Sequence, residues 1–345
     1  MSKFGILTGG GDAPGLNAVI RAAVRRSVPR CHQVLGIRHG WKGLLEKETV
    51  PLDLTSTSGI LHRGGTILGT SRTNPYKNPE DTERLRTNFR ALGLDALLAC
   101  GGEDTLGVAH KLSQEGFPVV GVPKTIDNDL SGTDVTFGFD TAVAIATEAV
   151  DRLHTTAESH DRVIVVEVMG RHAGWIATYT GLAGGADAIC VPVVPVRIDA
   201  IIAAIDRRRK LGKNFAIIVV AEGALMAEGD SARPVTREGA TDAFGHVILG
   251  GIGETIAAEI KTRTNLDTRT VVLGHTQRGG TPTARDRFLG SLFGAAAADL
   301  AHQGEFGRMV ALRGERIVAV PIAEGVAKLR TVDPALYELA VSLCG

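Results

Sequence analysis

Residues 123–129 read Pro-Lys-Thr-Ile-Asp-Asn-Asp, so two carboxylates stand one residue apart with a lysine and a threonine just before them. An Asx-rich turn accounts for the aspartates, but such a turn has no use for the lysine. Phosphoryl transfer to a hydroxyl does: it needs a carboxylate to take the proton, a metal to bridge oxygens and cations to meet the developing charge. A second stretch, Ala-Cys-Gly-Gly-Glu-Asp-Thr-Leu-Gly at 99–107, sets Glu103 beside Asp104 in a glycine turn. Backbone N–H groups of such a turn suit an anion, whereas adjacent carboxylates repel one. Either this is an ordinary surface turn, or one carboxylate holds a metal and the other selects which phosphate compound enters. A third stretch, the glycine turn Gly9-Gly10-Gly11-Asp-Ala-Pro-Gly, joins a strand-like run to an amphipathic one. A tight strand-to-helix connection explains it as well as anion binding does. Asp12 and Pro14 break the spacing of a dinucleotide fingerprint, and no acidic residue ends a second strand in the expected place, so an NAD-dependent oxidoreductase loses ground.

These turns follow short apolar runs, KFGIL, DALLAC, FPVVGV, DRVIVVEVM, NFAIIVVAEG and TVVLGH, most of them succeeded by a longer amphipathic stretch. The alternation predicts βα units. Continuous apolar runs predict buried, mainly parallel strands with helices on both faces, and ligands beyond their carboxyl ends. A chain of 345 residues, 44% hydrophobic and 22% charged, is long enough for two such domains. Lys plus Arg and Asp plus Glu balance at 38 each, which leaves no global field for nucleic acid or an anionic membrane. The basic run Arg207 to Lys210 reads as a solvated helix face. The four cysteines show no metal-ligand spacing, and no apolar stretch reaches signal-peptide or membrane-spanning length. A cytoplasmic protein is expected.

Taken in order, GGGDAPGLNAVIR, GGTILGTSR, CGGEDT, PKTIDNDL, MGRHAGW, AEG and LGHTQRGG resemble the phosphofructokinase family across nearly the entire chain. The resemblance implies an α/β protein of two Rossmann-like lobes with mainly parallel sheets flanked by helices. A phosphoryl-donor lobe is expected from 1–138 plus about 277–327, and a sugar-phosphate lobe from about 139–276 plus the C-terminal segment. By the same resemblance Asp127 accepts the proton of the 1-hydroxyl of fructose 6-phosphate, Thr125 touches the phosphoryl group, and Asp129 helps to order metal and base. Met169, Gly170 and Arg171 fall at the sugar, Arg171 also at the transferring charge. Glu222 takes the sugar hydroxyls, while His275 and Arg278 hold the 6-phosphate. Arg162 and Arg269 match arginines that the family supplies across a subunit interface, which implies a homodimer or homotetramer with composite sites. Gly11, Arg72, Gly102 and Thr105 fall at the donor phosphates, and Glu103 at the ligand position for Mg2+.

Asp104 and Lys124 depart from the pattern of ATP-type bacterial members, which has glycine at both positions; related ATP-using members also carry lysine at 124, so Asp104 is the discriminating residue. A carboxylate at 104 meets the α-phosphate of a nucleotide with a clash and a like charge. At about 4 Å and a dielectric near 20 that contact is worth roughly 4 kcal/mol, on the order of a thousandfold in affinity. Pyrophosphate has no third phosphoryl group to collide, and Lys124 supplies a cation to a donor lacking adenosine contacts. The pair resembles the pyrophosphate-dependent subtype. The alternatives are an ATP-dependent 6-phosphofructokinase that tolerates Asp104, and a non-catalytic regulatory subunit, which would be expected to lose parts of the intact TIDND set. Of the basic effector cluster Arg21, Arg25 and Lys213 persist, but Leu54, His154 and Phe215 do not supply the charge, so weak allostery is expected. The longer stretch at 224–251 carries no assignment.

Overall fold

The computed structural model describes residues 2–229, 231–241 and 247–344. Its contacts divide the chain into two compact units, Met1–Ile126 with Leu130–Thr141 and Arg278–Leu329, and Asp127–Asp129 with Ala142–Gln277 and Arg330–Gly345. The chain thus changes unit on either side of Asp127–Asp129.

In the first unit, strands Val119–Thr125, Ala96–Gly101, Lys3–Thr8 and Gln33–Ile37 lie side by side in that order and in parallel. Thr49–Leu52 closes one edge antiparallel. Arg308–Arg313 and Arg316–Pro321 extend the other. Ala96–Gly101 and Val119–Thr125 are buried at every residue, which is why they read as unbroken apolar runs rather than as an alternation. Alternate residues of the sheet feed two cores: Phe4, Ile6 and Leu98 on one face, Leu7, Leu97 and Ala99 on the other. Helix Leu16–Ser27 packs on helix Ala284–Gln303 with backbone approaching backbone. A Cβ at Gly294 would stand 2.3 Å from the Val19 carbonyl oxygen.

The second unit is built on four parallel strands in the order Thr268–Val272, Val163–Val168, Ala216–Ala221, Ala188–Cys190. Val163–Val168 and Ala216–Ala221 are buried throughout. The stretch at 224–251 forms short antiparallel pairs, Leu225–Glu228 with Ser231–Pro234 and Thr236–Thr241 with Val247–Leu249. Asp230 and residues 242–246 of that stretch lie outside the described residues. Among the described residues no helix is long and apolar enough to cross a membrane.

Candidate active site

Three adjacent strands of the first unit deliver three glycine- or lysine-bearing loops to one edge. Thr8 is in register with Cys100, and Gly101 with Pro123, so Gly9–Gly11, Gly102–Asp104 and Lys124–Thr125 emerge together. Gly9 N–H donates to the Cys100 carbonyl at 2.9 Å. Thr105 fills the gap between the first two loops: a Cβ at Gly9 would come within 2.6 Å of Thr105 Oγ1 and one at Gly101 within 2.3 Å of its Cβ. These two glycines are therefore required by packing. Gly11 differs, because a Cβ there meets the Arg278 guanidinium, 2.7 Å from Nη1.

Lys124 is 3% exposed, and its ammonium donates to the Gly11 carbonyl. Arg278 Nη1 donates to the Asp12 carbonyl at 3.1 Å. Two cations thus lean on the carbonyls of the glycine turn. Arg72 is exposed and follows a locked segment, in which Gly10 N–H donates to the Ser71 carbonyl at 3.0 Å and Thr70 Oγ1 to the Gly10 carbonyl at 2.5 Å. Glu103 and Asp104 occupy the first turn of helix Glu103–Gln114, where the helix dipole favours carboxylates. Glu103 is exposed and Asp104 half-buried. Among the described residues no group of three or more His, Cys, Asp or Glu side chains stands ready for a metal. An exposed carboxylate in a glycine turn nevertheless fits a hard divalent cation, which is usually held by one or two carboxylates together with ligand phosphates and water.

In the second unit Met169–Arg171 follows strand Val163–Val168 and Glu222 follows Ala216–Ala221, and the strand ends Val168 and Ala221 are paired. Glu222 N–H donates to the Val168 carbonyl at 2.8 Å, and Arg171 N–H to Glu222 Oε1 at 3.3 Å. Arg171 has φ 44, an outlier for a long side chain and typical of residues held by a functional site. His275 is exposed in the 3-10 turn Gly274–Arg278, after the neighbouring strand Thr268–Val272. His275 belongs to the second unit and Arg278, three residues on, to the first. Asp127 is 5% exposed, and Asn128 beside it adopts φ 54.

Arg162 and Arg269 stand at the opposite, amino ends of these strands. Both bind one carboxylate: Arg162 Nε lies 2.7 Å from Asp267 Oδ2 and Arg269 Nη1 2.7 Å from Asp267 Oδ1. The hydrogen bond from Arg162, aided by Arg269, holds the Asp267 carboxyl below the usual range. Asp267 was not foreseen; its only sequence signal is the acidic-basic alternation in Leu-Asp-Thr-Arg. Arg330, which bonds to the Asn128 and Asp129 carbonyls, and Trp175, which packs on Arg330, carried no signal beyond Trp175 ending MGRHAGW. At two of the altered effector positions the side chains serve packing. His154 Nε2 lies 2.7 Å from the Gly184 carbonyl oxygen, and its ring meets Phe215 edge-on at 6.0 Å.

In the first unit a parallel α/β scaffold carries glycine loops and a buried lysine at its strand ends, an arrangement suited to a phosphorylated ligand. The chain belongs to the phosphofructokinase family, whose description, Phosphofructokinase, matches residues 3–301. It is 58% identical over 338 residues to a pyrophosphate–fructose 6-phosphate 1-phosphotransferase of Streptomyces coelicolor, covering 97% of this chain and 98% of the relative. A protein of the same organism named ATP-dependent 6-phosphofructokinase 3 is 53% identical over 336 residues, covering 97% and 98%. Among solved structures, phosphofructokinase from Saccharomyces cerevisiae superposes with a TM-score of 0.83 at 32% identity, spanning 100% of this chain and 48% of that one.

Proposed function

We propose that this chain catalyses the reversible transfer of a phosphoryl group from pyrophosphate to the 1-hydroxyl of fructose 6-phosphate, yielding fructose 1,6-bisphosphate and phosphate. The observation that carries the choice of donor is the carboxylate of Asp104 in the first turn of helix Glu103–Gln114, with the buried Lys124, whose ammonium lies on the Gly10–Gly11 turn, in support. Lysine there answers the charge of a small polyanion, and Asp104 opposes a longer one. The higher identity to the relative named for pyrophosphate than to the one named for ATP points the same way.

In this reading Gly11, Gly102, Arg72 and Thr105 position the donor, and Lys124 and Thr125 meet the charge on the phosphoryl group as it moves. Glu103 would hold Mg2+, which when bound neutralises charge on the donor oxygens. Asp127 accepts the hydroxyl proton, and Asp129 orders that loop. Met169, Gly170, Arg171 and Glu222 seat the sugar, with Arg171 also facing the transferring charge. His275 and Arg278 take the 6-phosphate. For Arg278 this exchanges the Asp12 carbonyl for a charged acceptor, the stronger partner.

Arg162 and Arg269 need another explanation. Arg162 precedes the six-residue strand Val163–Val168, which at roughly 3.3 Å per residue puts it about 23 Å from Met169. One sugar phosphate does not reach both ends of that strand. Arg162 and Arg269 are therefore assigned to the sugar phosphate held by a second copy, and the active form to a homo-oligomer with composite sites. All four cysteines are free thiols, which suits a reducing cytoplasm.

The reading is tested with purified protein, Mg2+, fructose 6-phosphate and pyrophosphate as the sole donor. Fructose 1,6-bisphosphate and phosphate should appear in equal amounts, and the reaction should reverse when both are supplied. Turnover that requires ATP would contradict it.

A further inference from the structure

Arg330 opens the C-terminal segment of the second unit, in a stretch without motif. Its backbone N–H donates to the Asp129 carbonyl at 2.8 Å, and its Nη1 to the Asn128 carbonyl at 3.2 Å. The guanidinium lies 4.3 Å from the centre of the Trp175 ring. Trp175 Nε1–H in turn donates to the Arg330 carbonyl at 3.0 Å, and Val332 N–H to the Ala173 carbonyl at 2.8 Å. One residue therefore ties the Asp127–Asn128–Asp129 loop to the turn that presents Arg171. Asn128 has φ 54, a region that asparagine tolerates without preferring, so the loop depends on its surroundings to stay in that shape.

We propose that Arg330 is a positioning residue for the proton acceptor, fixing the carbonyls on either side of the Asn128–Asp129 bond and through them the direction of the Asp127 carboxylate. This rests on the reading of Asp127 as the base. An arginine suits the task because its flat guanidinium stacks on an indole and donates in the plane at the same time; a lysine ammonium keeps the charge but has neither the plane nor the fork. Arg330 acts through the loop rather than on the substrate, so its loss falls on turnover and spares donor binding.

The test measures kcat and KM for Arg330→Ala, Arg330→Lys, Asp127→Asn and the double variant Arg330→Ala/Asp127→Asn in the full chain, with thermal melting as the control for folding. Misplacing a reacting group by about 1 Å costs on the order of a hundredfold. Arg330→Ala should therefore lower kcat by roughly 30- to 100-fold, with KM for pyrophosphate within about threefold. Arg330→Lys should recover only part of that loss. In the Asp127→Asn background, where no base remains to be aimed, adding Arg330→Ala should cost less than about threefold more. Should Arg330→Ala fail to fold, Arg330→Lys and Trp175→Phe carry the same comparison, each lowering kcat when Asp127 is present and not when it is Asn. Near-normal kcat in the folded Arg330 variants, or an equal loss in the Asp127→Asn background, overturns the proposal. Near-normal turnover of Asp127→Asn itself overturns the reading of the base and the proposal with it, a separate and recognisable result.

Discussion

Replacing Gly223 by alanine adds one methyl group, and its position decides what that methyl does. The Cβ would stand 2.0 Å from the Arg171 carbonyl oxygen and 2.7 Å from its carbon. The obstacle is backbone, which has no rotamer to turn away. Restoring an ordinary contact of about 3.4 Å requires the Arg171 and Gly223 backbones to separate by roughly 1.4 Å. Gly223 follows Glu222, which accepts from Arg171 N–H at 3.3 Å, so the shift falls on two side chains assigned to the sugar. A displacement of this size at a reacting centre costs on the order of a hundredfold, or about 2.7 kcal/mol in kcat/KM. The loss should appear in kcat/KM for fructose 6-phosphate, leaving KM for pyrophosphate within about threefold. Initial-rate kinetics on a variant with a cooperative melting transition would measure it. A folded Gly223→Ala enzyme with normal kcat/KM for the sugar would refute the placement of Arg171 and Glu222 at the substrate.

Asp286 offers a test by pH. It is 1% exposed, accepts from Thr141 N–H at 2.8 Å, and burial outweighs these bonds to push its carboxyl up from 3.8 to about 6. Between those values the native state holds a proton that the unfolded chain has released, so its contribution to stability is complete below pH 3.8 and lost as pH rises to about 6. The span corresponds to roughly 3 kcal/mol as an upper figure; Asp286→Asn should flatten this part of the stability profile in urea titrations, and an unchanged profile would count against the burial argument. Composite sites predict complementation between subunits: Arg162→Ala and Glu222→Ala should each be nearly inactive, whereas unfolding and refolding them together should restore about a quarter of wild-type activity, since half the dimers are hybrids with one intact site of two. Activity that stays at the level of the separate variants would place Arg162 elsewhere.

All six apolar runs noted in the sequence are strands, because parallel strands buried on both faces leave an unbroken apolar signature and glycine turns mark their ends. The edge strands Thr49–Leu52 and Arg316–Pro321 escaped notice, since they are only partly buried and carry Pro51, Arg316 and Pro321. Sequence reasoning picked out the strand-end loops proposed to carry chemistry but not the residues that hold them. Arg330 meets Asn128 across 202 residues, and a pairing at that separation has no local pattern. Asp267 reads as a solvated turn and Asp286 as an ordinary first-turn acid; only the fold brings two arginines to one and buries the other. Arg278 shows the limit of motif transfer. Its motif assigns it to the sugar phosphate, yet its guanidinium rests on the Asp12 carbonyl, a contact that no reading of GHTQRGG contains.

The role of Asp104 as selector of the donor is tested most directly by the ratio of kcat/KM for pyrophosphate to that for ATP, measured in the wild type and in Asp104→Gly. A like-charge contact near 4 Å is worth up to about 4 kcal/mol at a dielectric near 20, and the half-exposure of Asp104 lets solvent screen part of it, which leaves an effect of roughly 30- to 100-fold. The wild type should favour pyrophosphate, and the substitution should lower the ratio by that factor, chiefly through a smaller KM for ATP. A wild type that already prefers ATP, or a ratio that does not move in Asp104→Gly, would contradict the account.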